Sequence, residues 1–104
     1  MTRVDADFKA RVLKLVAQIP EGKLMTYGQI AGLAGAAWAA WEVGQIAHFG
    51  DPKFPWQRVV NKKGGLANGY PGGRAGHAHD LEAEGIKIVD EQVVDLESLL
   101  WWPN

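Results

Sequence analysis

The residues best equipped for chemistry are Phe54-Pro55-Trp56-Gln57-Arg58-Val59-Val60. A proline fixes the backbone directly ahead of an indole. Two positions later stands an arginine, always charged and carrying five N–H donors. Two β-branched residues then lead the chain into a strand. The stretch reads as a rigid turn presenting a large aromatic beside a charge. What it lacks is a nucleophile. The chain has no cysteine, which excludes thiol attack, thiolate metal sites and disulfides. The remaining candidates for acid–base work are His48, Asp51 and His77, and no triad or metal spacing joins them. His77, His79 and Asp80 lie close in sequence, but no third ligand cluster accompanies them, so no metal is expected. No cofactor is implied either.

The elements that position this turn follow from periodicity. Asp5 or Asp7 can cap a helix through Phe8, Val12, Leu15, Val16 and Ile19, whose spacing makes one apolar stripe. Pro20-Glu21-Gly22-Lys23 stops it. Thr26 is a good N-cap for a short helix over 27–34, with Gly35 as its stop. The alanine-rich run 36–49 predicts a second helix, with Val43, Ile46 and Ala47 facing a core. Beyond Val60, Asn61-Lys62-Lys63-Gly64-Gly65 reads as a turn between Val59-Val60 and a returning strand at Leu66-Ala67. A final helix is predicted over 75–84, and two short strands over 86–89 and 92–95.

At 104 residues the chain is one domain, residues 1–104, with a single core. No apolar run approaches membrane-spanning length, and Met1-Thr2-Arg3-Val4-Asp5 lacks a signal-peptide pattern. A cytoplasmic protein without a membrane partner is the expectation. The net charge is −1, unevenly spread. Residues 23–74 hold six bases (Lys23, Lys53, Arg58, Lys62, Lys63, Arg74) against Glu42 and Asp51. Residues 75–104 hold one base, Lys87, against seven acids. The middle of the chain suits phosphate, although an exposed basic loop is equally an ordinary solvated face.

The signature resembles the Pro-Cys-His-Arg-Val motif of the O6-alkylguanine-DNA alkyltransferases, with Trp56 and Gln57 in place of cysteine and histidine. That pattern is similar to the alkyltransferase-like proteins, which bind O6-alkylguanine in DNA without repairing it. Thr26-Tyr27-Gly28-Gln29-Ile30-Ala31 resembles the family's Thr-Tyr-Gly-x-Ile-Ala, and Asn68-Gly69-Tyr70-Pro71-Gly72 its pocket loop. Trp101-Trp102-Pro103 resembles its Trp-x-Pro ending. The resemblance covers nearly the whole chain. It implies a mainly α fold with a small β-hairpin, a winged helix-turn-helix like the alkyltransferase C-terminal domain.

The same resemblance implies the site. Thr26, Tyr27, Gln29, Ala36, Ala37, Ala40, Trp41, Lys62 and Lys63 would meet DNA through the minor groove. Tyr27, Pro55, Trp56, Arg58, Val59, Tyr70 and Trp101 would line or support the alkylguanine pocket. Tyr27 would help rotate the guanine out; otherwise it is a buried tyrosine donating to a backbone carbonyl. Trp41 stands where the family has an arginine that fills the vacated stack. Its i, i+3 spacing from Trp38 suits a DNA wedge, ordinary packing or self-association alike. Glu84 is then a vestige of the catalytic network or a structural hydrogen-bond partner. The implied role is non-enzymatic: a monomer that holds O6-alkylguanine duplex, hands it to nucleotide excision repair proteins and shields it from alkyltransferases. The alternative is a protein-interaction module that kept the fold and lost DNA binding, favoured by the missing arginine, the acidic final third and the paired tryptophans.

Overall fold

The computed structural model describes residues 4–103; the N-terminal reading at Met1-Thr2-Arg3 lies outside them. Helix α1 (Ala6–Gln18) starts where expected, and Asp5 is its cap: Oδ1 accepts from the Phe8 N–H at 3.1 Å. It ends because Ile19 precedes a proline and takes extended angles. Phe8, Val12 and Val16 are its buried face.

A two-residue strand β1 (Met25–Thr26) then leads directly into α2 (Tyr27–Leu33). Thr26 closes a full capping box: its Oγ1 accepts from the Gln29 N–H at 3.0 Å, and the Gln29 side chain accepts from the Thr26 N–H at 3.2 Å.

The next helix is shorter than alanine content suggests. Helix α3 spans Ala40–His48, and residues 36–39 form a tight turn held by Ala36 N–H to Ala31 O (2.9 Å) and Ala39 N–H to Ala36 O (2.8 Å). Both Ala36 and Ala39 are buried in the core. Packing of these two methyls outweighs the helix propensity of the run.

After a 3-10 turn at Trp56–Arg58, strand β2 (Val59–Val60) pairs in parallel with β1, Met25 opposite Val59 and Thr26 opposite Val60. Successive side chains point to opposite faces, and the pairing uses this to divide the expected single core into two clusters. Met25 and Val59 join the cluster of Phe8, Val12, Ile30, Val43 and Trp56; Leu24 and Val60 join Leu66, Leu81, Ile86 and Val93.

The expected hairpin between Val59-Val60 and Leu66-Ala67 does not form. Residues 61–65 close on themselves, Gly64 N–H to Asn61 O at 2.8 Å and Asn61 N–H to Gly65 O at 2.9 Å. The returning segment pairs instead with strand β4 (Gln92–Val93), through Val93 N–H to Gly64 O at 2.9 Å. The β-hairpin of the fold is β3 (Ile88–Val89) with β4, antiparallel across Asp90 and Glu91, both at positive φ. Helix α4 spans Gly73–Glu82, two residues earlier than predicted, and a short α5 (Leu96–Leu99) precedes the tail. Residues Leu100 and Trp101 lie parallel to β1's approach, with Trp101 N–H donating to Leu24 O at 2.8 Å. No helix among the described residues is long and apolar enough to cross a membrane.

Candidate nucleic-acid interface

Helices α2 and α3 pack together as a helix-turn-helix pair, and a cavity of about 1170 Å³ opens between them, the signature turn and the loop 67–71. Its depth is set by Trp56, which is only 7 % exposed although it lines the cavity. The indole N–H donates to the Asp51 carbonyl at 3.2 Å. Phe54 lies beside it, ring centroids 6.2 Å apart. Residue 50 must be glycine here, since a Cβ would stand 2.6 Å from the indole nitrogen.

Behind the turn, one carboxylate makes four contacts with three donors. Glu84 accepts from the Gly22 N–H at 2.9 Å, from Gln57 Nε2 at 2.9 Å and from Arg58 Nε at 3.0 Å to each oxygen. Arg58 also donates to the Ile19 carbonyl at 2.8 Å. Burial alone would raise the Glu84 carboxyl, but the Gly22 N–H, Arg58 and Gln57 together hold it below the ordinary value. The network ties the turn after α1 to the turn that carries Trp56.

The wall opposite is equally fixed. Tyr70 stacks on the buried His77 ring, centroids 4.6 Å apart, and its hydroxyl donates to Asp80 Oδ2. Burial, then the Asp80 bond and charge, push the phenol well above its ordinary value. The Tyr70 bond in turn holds the Asp80 carboxyl low against the opposing effect of burial. His77 Nδ1 accepts from the Ala67 N–H at 3.0 Å, so Nε2 carries the proton and donates to the Gln57 carbonyl at 2.8 Å. Burial pushes this imidazole below its ordinary value, against the opposing Gln57 carbonyl and Asp80. Both nitrogens serve the backbone, which joins loop 67–71 to the signature turn.

At the mouth stands Trp41, 71 % exposed and lining the cavity. It belongs to no core cluster, so the packing alternative for this indole is not realised. Trp38 is 67 % exposed and lies off the cavity. Tyr27 lines the wall half-buried, its phenol raised by burial. Among the described residues its hydroxyl has no hydrogen-bond partner, so it does not spend its proton on a backbone carbonyl. Lys62 and Lys63 are exposed on the closed turn, with no ion pair among the described residues, whereas Arg74 faces Glu91 at 3.7 Å.

Of the residues named from sequence, Thr26, Tyr27, Gln29, Ala40, Trp41, Trp56, Lys62 and Tyr70 meet around the cavity. Thr26 and Gln29 do so while committed to the capping box, and Gln29 Nε2 also donates to the Trp101 carbonyl. Four others stand behind the wall. Pro55 and the buried Val59 support the turn, Arg58 faces Glu84, and Trp101 packs against the first core cluster. Ala36 is buried and cannot present its methyl to a groove; Ala37 is exposed beside it. Lys63 is exposed but off the cavity.

Sequence reasoning gave Gln45 and Phe49 no role and did not place His48 or Phe54 in the pocket, yet all four line the cavity, as does Asn68 of the pocket loop. A signal for two of them existed. Trp41, Gly44, Gln45 and His48 recur at i, i+3, i+4 and i+7, one face of a helix.

The sequence family described as "6-O-methylguanine DNA methyltransferase, DNA binding domain" matches residues 7–86. Alkyltransferase-like protein 1 of Schizosaccharomyces pombe is 33 % identical over 104 residues, covering 93 % of this chain and 96 % of that protein. The DNA base-flipping protein of Escherichia coli (strain K12) is 36 % identical over 96 residues, covering 90 % and 74 %. The crystal structure of S. pombe Atl1 in complex with damaged DNA containing O6-carboxymethylguanine superposes with a TM-score of 0.85 at 33 % identity, covering 98 % of this chain and all of that one.

Proposed function

The chain belongs to the 6-O-methylguanine DNA methyltransferase DNA-binding-domain family, and on that footing we propose that it recognises O6-alkylguanine in duplex DNA and leaves the alkyl group in place. The observation that carries this reading is the pairing of two indoles on one cavity, Trp56 closing its depth and Trp41 exposed at its mouth. Without a cysteine in the chain there is no thiol to accept an alkyl group. By the signature, Trp56 takes the place of that nucleophile.

In this mechanism α2 and α3 enter the minor groove, and the guanine is extruded at a cost of a few kcal/mol, less where alkylation has already weakened its pair. Tyr27 borders the path of the turning nucleotide. The base enters between Trp56 and Tyr70, and the face of Trp56 covers the alkyl group, gaining roughly 25 cal/mol for each Å² of apolar area buried. Trp41 takes the vacated place in the stack, as apolar wedges do at minor-groove steps. Lys62 and Lys63 meet phosphates and set the register. The DNA so held passes to nucleotide excision repair proteins, and the lesion is shielded from alkyltransferases meanwhile.

Fluorescence anisotropy tests it. The protein is titrated into labelled duplexes carrying guanine or O6-methylguanine at one position, at two salt concentrations. Tighter, salt-sensitive binding to the methylated duplex is the expected result. Equal and negligible binding to both would overturn the reading and favour a protein-interaction module.

A further inference from the structure

Gly69 does not need to be glycine for its own backbone, whose φ lies outside the left-handed region. A Cβ there would nevertheless sit 3.0 Å from His48 Nδ1 and 3.6 Å from His48 Cε1, with no other group within 4 Å. The one thing glycine does at this position is make room for the imidazole. The His48 ring also meets Phe49 edge-on, centroids 4.7 Å apart at 82°. His48 is exposed and among the described residues makes no hydrogen bond, so the Phe49 ring and the Gly69 backbone are what position its imidazole. His48 ends α3, and Gly69 is followed by Tyr70, which is anchored to His77 and Asp80. The two residues therefore close the cavity where α3 meets the loop 67–71, and both line it.

We propose that His48 is a specificity-determining residue: its imidazole, seated against Gly69, sets how large an O6 substituent the cavity admits. The proposal rests on the base-binding reading above. The loop cannot easily retreat, because Tyr70 holds it to α4. The imidazole can turn, because it ends a side chain that nothing else tethers. Small substituents fit beside it, and larger ones must displace it. His48 and Gly69 are both exposed at the cavity rim, so a large substituent displaces the ring at the cost of its Phe49 contact rather than of core packing, and a single methylene in a pocket already shifts selectivity by roughly tenfold or more.

The test uses the full chain and duplexes with guanine, O6-methylguanine or O6-benzylguanine at one position, with anisotropy as readout. The proteins are the wild type, His48→Ala, Gly69→Ala and the double variant, each checked for folding by thermal unfolding. His48→Ala is expected to move the benzyl-to-methyl affinity ratio toward benzyl on the order of tenfold. Gly69→Ala is expected to change that ratio when His48 is present and to add nothing in the His48→Ala background, the signature of a direct contact. A wild type that distinguishes lesions from guanine, with a ratio that His48→Ala leaves unmoved, would overturn this inference alone. So would a Gly69→Ala effect of equal size in both backgrounds. No preference of the wild type for either lesion would instead overturn the base-binding reading, and this inference with it.

Discussion

Gly50 and Trp56 are fitted to one another so closely that a single added carbon at residue 50 would stand 2.6 Å from the indole nitrogen and 2.8 Å from the Ile46 carbonyl. The indole is thus located by a backbone surface as well as by its hydrogen bond to Asp51. Gly50→Ala must push the indole or the end of α3, and overpacking of this kind costs about 1–3 kcal/mol. The expected outcome is a lower Tm together with weaker binding of the O6-methylguanine duplex. An alanine variant with wild-type stability and affinity would show that the turn absorbs the change and that Trp56 is less fixed than its contacts indicate.

Trp41 and Trp38 share a helix-turn region but differ in what they face. Trp41 borders the cavity and Trp38 does not. Replacing an aromatic that stacks on a base costs about 1–3 kcal/mol per base. Trp41→Ala should therefore weaken lesion binding by roughly tenfold or more, while Trp38→Ala leaves it unchanged. Reversed effects, read by anisotropy, would move the DNA contact to the turn at 36–39.

Glu84 accepts from three residues on two separate segments, Gly22 on one and Gln57 and Arg58 on the other, and its side chain is 8 % exposed. Breaking a buried pair by removing one partner costs about 3–5 kcal/mol. Glu84→Gln should lower stability by an amount near the bottom of that range, since the amide retains one acceptor. The depressed carboxyl also has a sign: its stabilisation is present above the ordinary carboxylate value and is lost as pH falls through the folded value. Denaturant titration at pH 7 and in mild acid measures both effects. A variant as stable as wild type at pH 7 would reduce Glu84 to an ornament of the turn.

His77 gives a second pH dependence, nearer neutrality. Burial holds it neutral in the folded chain, below the value near 6.5 that the unfolded chain shows. The unfolded state then binds the extra proton, so stability is fully present above about pH 6.5 and falls as pH drops toward the folded value. Protonation would also remove the acceptor used by the Ala67 N–H and so loosen the loop that carries Tyr70. Denaturant unfolding between pH 7.5 and 5.5 should show this decline, and His77→Asn, though less stable, should show less of it. An identical slope in the variant would assign the decline to other groups.

How much of this was legible in the sequence depended on range. The first helix, the Thr26 cap and the signature turn are local devices, each specified within a few residues, and each appears where its residues call for it. The parallel pairing of Met25–Thr26 with Val59–Val60 is non-local and only two residues long, too short for any alternation to announce it. The turn at 36–39 was hidden for the opposite reason. Three alanines in four residues favour helix locally, and the tertiary demand to bury Ala36 and Ala39 breaks it. The cavity's near wall was half legible: its residues lie on the helical face that starts at Trp41, but Phe54 and Asn68 arrive from loops whose paths no period describes.

The lysines of the closed turn decide whether the net charge of −1 is compatible with DNA binding. Lys62 and Lys63 are exposed and free of ion pairs among the described residues, and Lys62 reaches the cavity rim. Lys87 is exposed within the acidic final third and lies off the cavity. Each phosphate contact on duplex DNA contributes a slope of about −0.9 to log K against log salt. Lys62→Ala and Lys63→Ala should each weaken binding to methylated and unmodified duplex alike and make the slope shallower by about one. Lys87→Ala should leave the slope as it is. Anisotropy at four or so salt concentrations, about 50 to 200 mM, resolves such differences. If the wild-type slope itself is near zero, phosphate is not the partner of this face, and the exposed tryptophans must be explained by a protein.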